Sequence, residues 1–115
     1  MISNLNTSYV VRGGVLYTKD NSTLVYCPQA LASCSIYYET TMIAPYAFSG
    51  SAINTVDLSN IETVGMNAFE GCANLERVTF GDGVYISYGA FINCPSLEKV
   101  ELPENAQVDD GAFDE

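Results

Sequence analysis

The chain has 115 residues, 48% of them hydrophobic and 16% charged, and its 14 carboxylates against four Lys or Arg give a formal net charge of −10. This length and apolar content predict one folded domain with a continuous core and exclude a disordered chain. Four cations cannot form a phosphate-neutralising patch, so nucleic-acid binding is excluded. The absence of histidine excludes Ser-His-Asp and Cys-His catalysis and every histidine-containing metal site.

The hydropathy pattern predicts neither a signal peptide nor a membrane span. Residues 1–6 contain no basic stretch and no apolar core, so no signal peptide is expected in this chain. No apolar run approaches the roughly 20 residues that a spanning helix needs, so direct membrane insertion is not expected either.

The first third of the chain predicts an antiparallel β-hairpin or meander that caps the domain. Residues 9–11, 15–18 and 23–26 are rich in Val, Leu, Thr and Tyr, which favour strands. Gly13-Gly14 and the polar residues 19–22 separate these runs and are typical of turns. We therefore predict a cap over residues 1–34.

The remainder of the chain is an internal repeat. The dipeptide Ala-Phe begins at residues 47, 68, 90 and 112, at spacings of 21, 22 and 22 residues. An aliphatic residue stands five positions before each Phe, and a strand-like segment with three apolar positions follows the first three copies. A repeat of this period indicates a solenoid, in which each unit is stable only when stacked on its neighbours. The apolar positions are Ile53/Val56/Leu58, Leu75/Val78/Phe80 and Leu97/Val100/Leu102.

The repeat unit resembles a known family. Residues 64–80, Val-Gly-Met-Asn-Ala-Phe-Glu-Gly-Cys-Ala-Asn-Leu-Glu-Arg-Val-Thr-Phe, are similar to the BspA-like class of leucine-rich repeats. The resemblance covers residues 35–115 and leaves the last repeat incomplete. It implies a mainly-β, right-handed solenoid of parallel strands and short helical turns, with a stack of inward-facing Phe side chains. The resemblance also implies display at the cell surface, with a non-catalytic role and no cofactor.

The four cysteines are predicted to be structural. Cys72 and Cys94 occupy the same position of successive repeats, which predicts small buried side chains. No C-x-x-C pair suggests a zinc site, and no histidine is present to activate a thiol. Cys27 and Cys34 are close enough in sequence for a disulfide in an exported protein, and this alternative stays open beside four reduced thiols.

The outward positions of the repeated strands are the candidate partner-binding residues. Between the apolar positions lie exposed polar side chains, and a loop of the third unit adds two tyrosines. A merely solvated face with weak surface ion pairs is the competing interpretation, and a calcium ion between Asp57 and Glu101 is a weaker alternative. The candidates are Thr55, Asp57, Arg77, Thr79, Lys99, Glu101, Tyr85 and Tyr88.

Two functions follow as hypotheses from these features. The first is an adhesion or protein-interaction module that binds a host or neighbouring-cell protein or glycan through the exposed strand positions. The second is a structural spacer within a longer repeat array, without a lateral ligand of its own. In either case the last coil is expected to be uncapped, which predicts self-association through that end, opposed by its acidic residues.

Overall fold

The computed structural model describes residues 8–98 and 100–113. Within those ranges the chain forms short β-strands and turns and contains no helix of the length and apolar character that a membrane span requires. The strands of the described residues are β1 (Tyr9–Arg12), β2 (Val15–Thr18), β3 (Thr23–Tyr26), β4 (Met42–Ile43), β5 (Thr55–Leu58), β6 (Thr63–Val64), β7 (Arg77–Phe80), β8 (Tyr85–Ile86) and β9 (Gln107–Val108).

An antiparallel hairpin of β1 and β2 begins the described fold. Arg12 lies opposite Val15, across a tight turn in which Gly13 and Gly14 have φ of 57° and 84°, a region that glycine enters without steric cost. On its other edge β2 pairs antiparallel with β3, and β3 in turn pairs parallel with β4. The hairpin thus continues into the solenoid within one sheet. The boundary between residues 34 and 35 stays a prediction, and residues 1–7 of the predicted cap lie outside the described residues.

Each coil contributes a strand to a seven-stranded sheet, ordered β1-β2-β3-β4-β6-β8-β9 among the described residues. From β3 onward the pairing is parallel and in register, which places one aliphatic side chain of each coil in a single row. The first four members of this row are fully buried, whereas Val108 is 38% exposed. Stacking of equivalent aliphatic residues is therefore confirmed. The row consists of Leu24, Ile43, Val64, Ile86 and Val108.

The strand-like segments that follow each Ala-Phe form a second, smaller sheet. β5 and β7 pair parallel, with Thr55 beside Arg77 and Leu58 beside Phe80. The third copy of the segment differs from the prediction, because none of its described residues belongs to a strand. Its last apolar residue, Leu102, is 48% exposed, while Leu58 at the same repeat position is fully buried. The third copy therefore lacks the packing that holds β5 against the core.

Phe side chains form a continuous stack through the core. Successive ring centroids from Phe48 to Phe69, Phe91 and Phe113 are 4.6, 5.0 and 5.2 Å apart, with interplanar angles of 11° or less. The backbone follows the same stacking, since the N–H of Phe69 donates to the carbonyl of Ala90 at 2.7 Å. This arrangement confirms that equivalent Phe residues of successive coils lie over one another. A β-solenoid of about four turns is the result.

The segments around each Ala-Phe are turns, so the short helical turns implied by the resemblance are not found in the described residues. Each turn contains a residue with positive φ at the same repeat position, and the first three turns contain a second one four residues later, with values of 57° to 79°. The first set is Tyr46, Asn67, Gly89 and Gly111, and the second set is Gly50, Gly71 and Asn93. Hydrogen bonds close the turns over three residues, as between the Ala47 N–H and the Ala44 carbonyl at 3.2 Å. A residue in the left-handed region interrupts a right-handed helix, which explains the difference.

Candidate functional site

The two-stranded sheet carries four of the predicted partner-binding residues on its outer face. Thr55 and Asp57 on β5 are exposed and lie in register beside Arg77 and Thr79 on β7. Alternation along each strand explains this, because the neighbouring Val56 and Leu58 face the core. We call Thr55, Asp57, Arg77 and Thr79 the polar strand face.

The polar strand face contains one carboxylate with a defined local role. Asp57 Oδ1 accepts a hydrogen bond from the Ser59 backbone N–H at 3.0 Å. Hydrogen bonds from the Ser59 side chain and backbone lower the pKa of Asp57 below its ordinary value. The charged carboxylate therefore helps to fix the turn that follows β5, and it remains exposed to a partner.

The exposed row in which Thr55 lies beside Arg77 and Asp57 beside Thr79 does not continue regularly into the third coil. Lys99 lies outside the described residues. Glu101 is exposed and lines a cleft whose other wall is β7. β7 therefore separates Glu101 from Asp57, which argues against a calcium ion shared by these two carboxylates. Within the described ranges, no group of three or more His, Cys, Asp or Glu could hold a metal ion.

Tyr85 and Tyr88 belong to a different surface, on the seven-stranded sheet and the turn after it. Tyr85 lies on β8, and its hydroxyl donates to Asp109 Oδ2 at 2.7 Å. This hydrogen bond raises the pKa of Tyr85 above its ordinary value. Tyr88 is 56% exposed, and its ring covers Gly111, where an added Cβ would lie 2.6 Å from the ring carbon Cε1. Both tyrosines thus extend over the last described coil.

The structure therefore divides the predicted site between two surfaces. The coils of β4 and β6 each supply a second strand, β5 and β7, to the two-stranded sheet, and both sheets direct their buried side chains into one core. The outer faces of the two sheets consequently point away from that core on separate sides. The predicted partner-binding residues on these two faces therefore do not form one continuous site.

Three further exposed side chains, outside the predicted set of partner-binding residues, adjoin Tyr85 and Tyr88 along the seven-stranded sheet and its turns. Met42 lies two strands from Tyr85 in the same row, and Met66 precedes the turn residue Asn67. Tyr46 takes the left-handed position that Asn67 holds in the next coil, with φ of 63°. Alignment of the turn positions could have revealed this Tyr, because bulky residues are rare at positive φ. We call this set the tyrosine surface: Met42, Tyr46, Met66, Tyr85 and Tyr88, which are 37% to 56% exposed.

The cysteines contribute to the core of the repeat. The Cys72 thiol donates to the Phe48 carbonyl at 3.0 Å, and the Cys94 thiol donates to the Phe69 carbonyl at 3.1 Å. Each thus joins one coil to the preceding coil at the Phe stack. Cys27 and Cys34 are free thiols in the structure, so the alternative of a disulfide between them is not realised there.

Comparisons with known proteins agree with this architecture. The crystal structure of the pneumococcal vaccine antigen PcpA is similar, with a TM-score of 0.75 and 20% sequence identity over 94% of this chain. The match spans 36% of the antigen's chain, so the protein described here corresponds to about a third of it. No curated protein matches the sequence. A model of the BspA-type leucine-rich-repeat region, with six copies, matches residues 21–115, and the chain therefore belongs to the BspA-type leucine-rich-repeat family.

Proposed function

We propose that this chain is a non-catalytic interaction module, displayed at a cell surface, that adheres to a host or neighbouring-cell protein or glycan. The observation that carries the proposal is the register of its exposed side chains. Thr55 beside Arg77 and Asp57 beside Thr79 form a regular polar strand face, and repeat proteins commonly bind along such extended surfaces. Family membership and the likeness to a vaccine antigen support the proposal.

The tyrosine surface is the second candidate contact area of the same module. Tyrosine is enriched at protein interfaces because one side chain offers both a large apolar ring and a hydroxyl. Tyr46 also holds a strained backbone conformation at a residue that is 55% exposed. Strain retained at an exposed position is typical of functional sites. Tyr46 therefore joins Tyr85 and Tyr88 as a candidate binding residue.

A binding screen tests the proposal. The purified chain is presented to immobilised extracellular-matrix proteins and to a glycan array, beside Arg77→Ala/Thr79→Ala and Tyr46→Ala/Tyr88→Ala. We expect at least a tenfold loss of affinity for one of the two double variants. The control is Lys19→Ala, which removes an exposed cation from the turn between β2 and β3. Absence of any ligand, or binding that neither double variant weakens, would contradict the proposal.

A structural spacer is the alternative function, and the exposure of the last strand favours it. Val108 on β9 is 38% exposed, although its row partners Val64 and Ile86 are fully buried. Another coil stacked on β9 would bury this side chain. A spacer predicts that added downstream repeats raise the stability of the module, while no variant on either outer face changes any binding.

A further inference from the structure

The outer edge of β7 has no strand partner among the described residues. β7 pairs with β5 on one edge, and the two-stranded sheet ends there. In a parallel sheet, alternate N–H and C=O groups of a strand point to either edge, so half of the β7 backbone groups face away from β5. An unpaired strand edge is a template for another extended chain.

A cleft of about 500 Å³ lies along this edge, between β7 and residues 101–103. The side chains of β7 that face inward are incompletely covered beside it. Val78 and Phe80 are half-buried, whereas Val56 and Leu58 at the same positions of β5 are buried. The cleft thus combines a strand edge that has no strand partner in the described part of the chain with accessible apolar side chains. Clefts that bind ligands commonly enclose roughly 300–1,000 Å³.

The walls of the cleft carry opposite charges. Arg77 is exposed on the β7 wall, and Glu101 is exposed on the opposite wall. An extended segment seated between them would have side chains alternately facing the core and the solvent. Its apolar residues would cover Val78 and Phe80, and an acidic residue would complement Arg77.

A smaller cleft of about 280 Å³ lies between residues 34–37 and 57–61, beside β5. The inward side chains of β5 are already buried, so an added strand would cover little apolar surface there. The β7 edge is therefore the better site.

We propose that the β7 edge binds an extended peptide as an added parallel or antiparallel strand, with alternating apolar and polar side chains and an acidic residue beside Arg77. This mode is β-strand addition, in which main-chain hydrogen bonds supply affinity and alternate side chains supply specificity. The inference rests on the proposed interaction function and names a class of partner for it. Residues of the third copy, 97–102, carry the same apolar pattern and are the natural competitor for the edge.

The probe is a synthetic, end-blocked fluorescent peptide with the sequence of residues 53–60, which contains β5, the strand that β7 already accepts on its other edge. Its anisotropy is measured against the full chain. We expect saturable binding that Leu102→Asp weakens at least tenfold, because this substitution places a charge in the cleft. The matched control is Val108→Asp, a similarly exposed apolar position on β9, which should bind the peptide like the unaltered chain.

A charge exchange tests the orientation beside Arg77. Arg77→Glu should weaken binding of a peptide that carries Glu in place of Thr55, the residue that pairs with Arg77 in β5, and a peptide that carries Lys at this position should recover affinity for Arg77→Glu. Lack of saturable binding, or equal binding by Leu102→Asp, would overturn the inference. Protection from deuterium exchange, in the peptide-free chain, of residues 100–102 and of the β7 N–H groups that face away from β5 would do so too, because the third copy would then occupy the edge.

The two proposals fail separately. Leu102 lies outside both the polar strand face and the tyrosine surface. If Leu102→Asp still binds a matrix protein or glycan but no form of the chain binds the peptide, only the strand-addition proposal is refuted. If the chain binds the peptide but no ligand in the screen, only the adhesion proposal is refuted.

Discussion

The aromatic rings of Phe48 and Phe69 lie 4.6 Å apart, centroid to centroid, with an angle of 11° between their planes. Both side chains are fully buried, and the Cys72 thiol donates to the Phe48 carbonyl beside them. One coil is thus joined to the next by ring stacking, a thiol hydrogen bond and parallel strand pairing. This contact between coils is the unit from which the stability of the solenoid is built.

Removal of the central ring should destabilise the fold strongly. Phe69 contacts rings on both sides, so Phe69→Ala should lower the free energy of unfolding by about 3–5 kcal/mol. Phe69→Leu, which keeps most of the apolar volume, should cost about 1 kcal/mol. Urea denaturation followed by circular dichroism measures both. As a control, Met66→Ala, at a side chain 51% exposed, should change stability by less than about 0.5 kcal/mol.

Relief of backbone strain at Tyr46 should stabilise the protein. Asn occupies the same left-handed position in the next coil, at Asn67, and Asn tolerates positive φ better than Tyr does. We expect Tyr46→Asn to raise the free energy of unfolding by about 0.5–1 kcal/mol. Thermal denaturation tests this change against Tyr26→Asn, which alters a similarly exposed Tyr (45%). A lower melting temperature for Tyr46→Asn would contradict the strain argument.

Alkaline pH should destabilise the fold. Contact with the Cys94 thiol, together with burial, raises the pKa of Cys72 above its ordinary value of 9.0, and burial likewise raises the pKa of Tyr17 above 10.0. A folded-state pKa above the unfolded value contributes stability that is complete below the unfolded pKa and is lost as pH rises beyond it. The urea midpoint should therefore fall above about pH 9.

Substitution of the thiol isolates its part in that pH dependence. Cys72→Ser retains a hydrogen-bond donor near the Phe48 carbonyl but does not titrate in this pH range. Its urea midpoint should fall less steeply between neutral and alkaline pH than that of the unaltered chain. Equal slopes for the two proteins would show that Cys72 is not responsible.

The hydrogen bond between Tyr85 and Asp109 should be visible in the titration of the phenol. Because the hydroxyl donates to a carboxylate, the pKa of Tyr85 lies above its ordinary value of 10.0. Asp109→Asn should return the pKa toward that value, as measured by NMR of the labelled Tyr ring carbon. Asp110→Asn, a neighbouring change of equal charge, should leave the titration nearly as it was. A Tyr85 curve indifferent to Asp109→Asn would refute the assignment.

Self-association through the last coil should increase with salt. Val108, Leu102 and Phe113 are incompletely buried there, and six of the 14 acidic residues fall within residues 101–115. Salt screens repulsion between two such ends. Sedimentation velocity over a range of salt concentrations should show a growing dimer fraction that Val108→Asp suppresses. A monomer at every salt concentration would count against this contact.

The repeat alignment predicted the stacked Phe and aliphatic rows because each member recurs at a fixed spacing and only a solenoid buries all of them together. The same alignment predicted a third strand at residues 97–102, which the structure does not contain in its described residues. The apolar pattern of residues 97–102 could not show whether this segment forms a strand. Whether an edge strand forms depends on what packs on both of its sides.

The candidate site, too, could be predicted from the sequence only in part. That Thr55, Asp57, Arg77 and Thr79 point outward follows from alternation within each strand, which the sequence by itself determined. That Tyr85 and Tyr88 lie on another face depended on the seven-stranded sheet and the turns that follow its strands. Two-residue strands such as β6 and β8 are too short to show a period, and their pairing exists only when coils stack. Tertiary structure alone therefore decided which exposed side chains share a surface.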